Sequence, residues 1–329
     1  MERGLKKRWM GVLFAVLITV TFGLAFNSVQ SNTMSAALQS AFSIEPLNSG
    51  IVISVLTLVI IFGGVHRIAA ISSVIVPVMA VGYIALALFV VLANIDRIPA
   101  VVEQIVGNAF GWHQAVGGGI GTALMQGIKR GLFSNEAGMG SAPNAAATAH
   151  VTHPAKQGFI QALGVFTDTL LICSCTAFII LFDEDYIGSG LDGIQLTQAA
   201  LASEVGNIGG IYVAIATLFF AYSSILGNYY YGEANIRFFT SRQWPVVLYR
   251  MLVGGMVLFG SLASLNLVWN LADVTMALMS ICNLIAIFLL GKYAFRLLDD
   301  YLAQKRKGIK SPVFHKEQMK DIEQDLECW

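Results

Sequence analysis

Charge is what this sequence has least of. Asp, Glu, Lys and Arg make up 12% of its 329 residues and hydrophobic types 56%, whereas a soluble domain carries about 25% charged residues. That deficit argues against a water-soluble globule and for a membrane protein. Cysteine is scarce as well. Cys173, Cys175 and Cys282 sit inside apolar runs and Cys328 in a polar tail, the placement of small buried hydrophobes, not of a disulfide framework or metal site. Basic and acidic residues balance at twenty each, so no basic footprint for nucleic acid exists and nothing points to an acidic substrate. Short-period repeats and low-complexity segments are absent. The first apolar run is too long, and lacks the small-residue cleavage pattern, for a cleavable signal peptide.

What the chain has instead is long apolar runs. A bilayer core takes about 20 residues of helix, and eight runs near that length occur, at about 9–30 (extending to 42 if the helix continues), 47–62, 68–93, 115–147, 158–182, 208–230, 245–265 and 272–297. The second is short and the fourth is interrupted. Connections alternate in charge, as the positive-inside rule requires. With the N-terminus cytoplasmic, the inner segments hold Arg3, Lys6, Lys7, Arg8, Arg67, Lys156, Arg237, Arg242, Lys292, Arg296 and the basic residues at 305–310. The outer ones hold Arg97 and otherwise acids, among them Glu45, Asp96, Glu103, Asp183, Glu184, Asp185, Asp192 and Glu204. The expectation is an all-α multi-pass membrane protein with eight transmembrane helices and both termini cytoplasmic. Residues 1–298 form the membrane domain and 299–329 a cytoplasmic tail, solvated or disordered. Two outer loops, 98–109 and 195–205, mix apolar and polar residues at helical spacing and predict short helices on the outer face.

The interruption in the fourth run reads GIKRGLFSNEAGMGSAPNAAA, residues 127–147. Irregular backbone survives at membrane depth only inside protein or beside a water-filled cavity. Gly117, Gly118, Gly119 and Gly121 permit close approach of a neighbouring helix, and Gly131, Gly138 and Gly140 permit unwound or left-handed backbone. A broken helix offers free N–H groups to a carboxylate and free C=O groups to a cation, a device of transporters. The competing reading ends the helix near Ile128, with Lys129 and Arg130 reaching the cytoplasmic interface.

Three further places carry polar groups at membrane depth. In FAYSSILGNYYYGE, residues 220–233, Ser223 and Ser224 offer oxygen ligands to an alkali cation, or simply bond back to the preceding turn; Ser224 and Asn228 share a face at i, i+4. Asp168, in GVFTDTLLICS, falls about 15 Å along a helix starting near Gly158. An acid there needs a partner or water, as part of an ion pathway or of a structural pair. Asn27, Gln30 and Ser31 share one face of the first span, to line a pathway or to join two helices.

With these residues in place, the sequence resembles the alanine or glycine:cation symporter family. RGLFSNEAGMGSAPNAAA followed by QALGVFTDTL carries the resemblance, and FAYSSILGNYYYGE and CNLIAIFLLGK agree in order and spacing. The resemblance implies the leucine-transporter-type fold of two inverted five-helix repeats. It also implies symport of a small neutral amino acid, alanine or glycine, with sodium or less often protons, across the plasma (in bacteria, inner) membrane. No cofactor is implied; sodium is a co-substrate.

Matched residue by residue, the interrupted sixth core helix falls on Gly131, Leu132, Phe133, Ser134, Asn135 and Glu136, near the substrate. The eighth falls on Ser223 and Ser224 at the sodium site, and the third on Asn27 and Gln30, facing the substrate. Glu136 and Asp168 are left as candidates for an ion pathway. Family members carry one extra helix and two core helices ahead of the position of Met1, so the chain reads as a symporter lacking its first two core helices. A second reading is an inactive truncated fragment with a binding or assembly role. No enzyme is expected: a hydrolase built on Ser134 would lack a base, since Lys129 is five residues away and His150 lies at the cytoplasmic edge.

Overall fold

The structure, a computed structural model, describes residues 1–63, 66–110, 118–183 and 189–319. Gly117, Glu184, Asp185 and Cys328 lie outside the described residues, as does the side chain of Arg67. Every regular element among the described residues is helical. After one helical turn at Glu2–Leu5, α1 runs through Arg8–Phe42 with a π-helical stretch at Thr21–Phe26. There follow α2 (Pro46–Gly63), α3 (His66–Ala93), α4 (Ile98–Ala109), α5 (Gly118–Asn135) and α6 (Ser141–Ala146). Next come α7 (Pro154–Phe182, π-helical at Asp168–Ile172) and α8 (Ile194–Val205). The chain continues in α9 (Asn207–Phe239), α10 (Gln243–Leu262) and α11 (Leu265–Arg306).

This is a multi-pass membrane protein. Six helices are long and apolar enough to cross a bilayer, and a seventh span results if Pro77–Ala93 and Ile95–Ala109, bent by 73°, count as one. The expected count of eight is not reached among the described residues. One reason is α5, whose 18 residues include Gln126, Lys129, Arg130 and Ser134, polar groups that remove it from any purely apolar count. The first span extends to Phe42, and both outer-loop segments expected to be helical are so, as α4 and α8.

Lipid tails are as apolar as leucine, so these helices associate through small residues and hydrogen bonds more than through hydrophobic transfer. The contact of α1 with α10 shows both. Ser31 Oγ donates to the Val257 carbonyl at 2.6 Å, and Asn32 Nδ2 donates to the carbonyls of Gly260 (3.0 Å) and Ala263 (2.8 Å). Ser54 on α2 likewise donates to the Gly254 carbonyl at 2.8 Å. Gly260 is what lets α10 pass so close, because a Cβ there would collide with the backbone of Ser28. Ser31 therefore joins helices. On the other side of α1, Ile18 and Phe22 pack with Met276 and Met279 of α11.

The segment after α11 is docked instead of solvated. Gly308, at φ +80°, turns the chain back, and the Gln304 amide brackets Val313 by donating to its carbonyl (2.8 Å) and accepting from its N–H (3.0 Å). Phe314 N–H then donates to the Thr152 carbonyl at 3.0 Å, and the Phe314 ring meets His153 edge-on at 5.7 Å. His153 is fully buried and hydrogen-bonded to Asp300 at 3.0 Å. Phe314 and Met319 are buried apolar anchors, too far apart in a charged segment to give a periodic signal.

The Gly260 crossing is testable against a neighbour on its own helix. Gly260→Leu should lower the thermal midpoint and yield of monodisperse protein sharply. Gly255→Leu, whose Cβ meets nothing within 4 Å, should leave both near wild type; equal behaviour of the two would refute the packing.

Candidate functional site

The interrupted segment is broken as its glycines suggest, and the break falls at 136–140, between α5 and α6. Gly138 (φ +83°) and Gly140 (φ +96°) adopt left-handed backbone, and so does Glu136 (φ +56°). For a residue with a Cβ that conformation costs about 1–2 kcal/mol, so its surroundings must hold Glu136. Its N–H donates to the Leu132 carbonyl at 3.0 Å, and Ser141 Oγ donates to Glu136 Oε2 at 2.5 Å. The carbonyls the break leaves over are met by amide side chains. Asn283 Nδ2 donates to Gly138 O at 2.8 Å, and Asn144 Nδ2 to Gly140 O at 2.9 Å.

Against this break, α1 and α9 enclose a cavity of about 430 Å³. The broken helix contributes Phe133, Ser134 and Glu136; α1 contributes Phe26 and Gln30; α9 contributes Ser223, Ser224, Gly227, Asn228 and Tyr231. Both serine hydroxyls donate to the Phe220 carbonyl, at 2.8 and 3.0 Å. That back-bonding commits their protons and leaves oxygen lone pairs for an electropositive guest, so the two readings of the serine pair are compatible. Ring contacts bound the cavity on one side: Phe26 with Phe133, and Phe133 with Trp269, each at 4.5 Å between centroids.

Other expected residues stand behind this wall. Asn27 is fully buried; its Nδ2 donates to Gly23 O at 3.0 Å and its Oδ1 accepts from Asn228 Nδ2 at 3.1 Å, so Asn27 orients a cavity-lining amide. Gly131 lies inside α5, one turn before the break. Asn135 closes a local turn, accepting from Ala137 N–H at 2.9 Å and donating to Thr169 Oγ1 at 3.0 Å. Asp168 opens the π-helical stretch of α7 and accepts from Ser134 Oγ at 2.6 Å, with Cys173 Sγ 3.0 Å from the same hydroxyl. Among the described residues neither Glu136 nor Asp168 takes part in an ion pair.

Lys129 and Arg130 do not end the helix. They pair with Asp273 of α11, Lys129 Nζ at 3.3 Å, while the Arg130 guanidinium lies 4.0 Å above the Trp269 ring. Asp273, Trp269, Phe26 and Tyr231 escaped the sequence reading. Asp273 alone left a signal, an acid at the edge of the last apolar run, and the aromatics are indistinguishable there from lipid-facing ones.

Comparison with known proteins follows the same outline. The profile of the sodium:alanine symporter family matches residues 1–316. A probable sodium/glutamine symporter, GlnT of Bacillus subtilis, is 55% identical over the whole chain, which covers 68% of that protein. The amino-acid carrier protein AlsT of the same organism is 52% identical, again over the whole chain and 70% of its own length. The sodium/alanine symporter AgcS of Methanococcus maripaludis is 38% identical over 88% of this chain and 65% of its own. The chain thus spans about two thirds of the length of these relatives.

The left-handed turn sets a test of the break. Gly140→Ala forces a Cβ into a φ of +96° and to within 2.8 Å of Asn283 Cγ, and should cost about 1–2 kcal/mol or more, read as a lower thermal midpoint. Gly127→Ala, helical and facing open space, should be neutral or stabilising by up to about 1 kcal/mol. A Gly140→Ala protein as stable as wild type would overturn the assignment.

Proposed function

The chain belongs to the sodium:alanine symporter family, and on that premise we propose that its cavity binds a small neutral amino acid together with sodium and carries both across the plasma membrane by alternating access. The observation that carries the proposal is the meeting of the broken helix with the serine pair around one cavity. An amino acid needs acceptors for its ammonium and a positive partner for its carboxylate; the C-terminal end of α5 beside Glu136 offers the first, and a sodium ion at the serine pair would supply the second. Ser134, Gln30 and the Phe133 ring are the substrate contacts, supported by Gly131, Asn135 and Asn27 from behind. Ser223 and Ser224 supply oxygens to sodium, the hard ligands an alkali ion takes. Glu136 and Asp168 line the ion's route, and a proton in place of sodium is the less favoured form.

The leucine-transporter-type arrangement of core helices three to ten, with cytoplasmic termini and a tail from residue 299, is the fold in which this site would work. The break at 136–140 supports it, since such folds carry an interrupted helix beside the substrate site. The relatives are carriers by name, not enzymes. Among substrates, alanine is the one the family's description names and glycine the one the sequence resemblance adds; glutamine is a second reading, because the relative at 55% identity is named a probable sodium/glutamine symporter and Gln30 and Asn228 add amide groups to the wall.

Uptake of labelled alanine, glycine and glutamine into proteoliposomes, with and without an inward sodium gradient, tests the proposal. Gradient-driven accumulation of at least one is expected; uptake equal under both conditions for all three refutes coupling. In the same assay Ser223→Ala/Ser224→Ala should raise the sodium concentration for half-maximal uptake by about tenfold, the scale of one to two lost polar contacts. An unchanged sodium dependence would remove the serines from the ion site.

A further inference from the structure

We infer that Asn283 is the positioning residue of the unwound turn, and that α11 acts through it, and through Asp273, as a splint across the break in the transport helix. Asn283 lies on α11, away from the cavity wall, and is only 6% exposed. Its Nδ2 donates to the Gly138 carbonyl at 2.8 Å. A carbonyl freed by a helix break and shut away from water costs several kcal/mol unless it finds a donor. The other side-chain bonds to the turn are local: Asn135 to Ala137 N–H, Ser141 to Glu136, and Asn144 to Gly140 O. Among the described residues, the bond from Asn283 ties the turn to another helix.

Shape agrees with the hydrogen bond. A Cβ on Gly140 would lie 2.8 Å from Asn283 Cγ, and one on Gly138 3.1 Å from Leu284 Cδ2. Residues 283 and 284, together with the Phe14 ring of α1 at 2.5 Å from the Gly140 Cβ position, therefore occupy the room the two glycines leave. The same helix grips the other side of the break. Asp273 holds Lys129 and Arg130, and the Trp269 ring stands against Phe133. Asp273 and Asn283 are ten residues apart, about 15 Å along the helix, so α11 touches the broken helix before its interruption and at the interrupted turn itself. Without that support the turn would be held by its local bonds, and Glu136 would lose its fixed aim into the cavity.

The consequence for transport rests on the cavity reading above. With its carbonyl held by Asn283, the Gly138 turn keeps the adjoining Glu136 in place on the cavity wall beside the serine oxygens. Loss of that donor should therefore weaken substrate affinity more than it slows the cycle.

The test uses Asn283→Asp, which keeps the shape and removes the amide donor, beside Phe288→Ala, an exposed position further along α11. Because a buried carboxyl that keeps its proton would still donate, Asn283→Leu is included and expected to behave like Asn283→Asp. Hydrogen exchange in membrane mimetic, read by mass spectrometry, should show amides at 136–140 exchanging at least tenfold faster in Asn283→Asp, with α9 and α10 unchanged. In proteoliposomes the KM for the transported amino acid should rise about tenfold while kcat stays within threefold, and Phe288→Ala should match wild type in both measurements. Two results overturn the inference: exchange at 136–140 unchanged in both Asn283 variants, or faster exchange spread evenly over the protein with only kcat reduced, the mark of a merely structural role. If wild-type protein takes up no amino acid, the cavity reading fails, and the exchange measurement still decides the role of Asn283.

Discussion

The constraint on which the structure turns is that a bilayer offers no water to a broken backbone. Wherever the helix at 118–146 gives up its own hydrogen bonds, the carbonyls left behind must find donors within the protein. Asn283 and Asn144 supply them, and the strained Glu136 is held by Ser141. The break is consequently a built feature, anchored from two sides, and the cavity beside it inherits a defined shape. The Asn residues that satisfy the turn and the helix crossings that bring them there are parts of one solution.

That solution also sets the electrostatics. Lys129 and Arg130 share the single carboxylate of Asp273, while Glu136 and Asp168 face hydroxyls. Negative charge and oriented oxygen lone pairs therefore collect around the cavity, and positive charge is drawn away toward α11. A space arranged in this way attracts a cation or an ammonium group more than an anion. The Asn27–Asn228 bond works in the same direction: by taking one amide hydrogen of Asn228 into the wall, it fixes which way that side chain presents itself.

Much of this was legible in the residues and some was not. Runs of apolar sequence located most of the helices, because hydropathy responds directly to the bilayer. The glycines of the interruption announced the break, because only glycine enters left-handed backbone freely, yet they could not say that Glu136 would share that conformation. Gln30, Ser223 and Ser224 stood out as polar groups at depth and Ser134 through the family resemblance, and the four converge on one cavity. Their supports did not stand out. Asn283 and Asp273 sit beside the turn only through the packing of α11, more than a hundred residues away, and no local pattern encodes such a contact. Phe26 and Tyr231 gave no signal for the opposite reason, since an aromatic facing a cavity looks in sequence like one facing lipid. The docked tail was hidden by its charges, which outnumber the two apolar anchors that hold it.

One feature reaches further than its length suggests. A π-helical turn holds one residue more than an α-helical one, so it shifts the angular phase of everything beyond it by about 100°. Two helices facing the break carry such a turn at the site, Thr21–Phe26 just ahead of Asn27 and Asp168–Ile172 at Asp168. Each helix is thereby two instruments on one shaft. Its first part is phased for the neighbours it meets near one surface, its second for the cavity or for the contacts beyond it. The same ladder of hydrogen bonds that lets a helix cross the membrane as a stiff rod is thus dialled, by a single extra residue, to point different side chains at different depths.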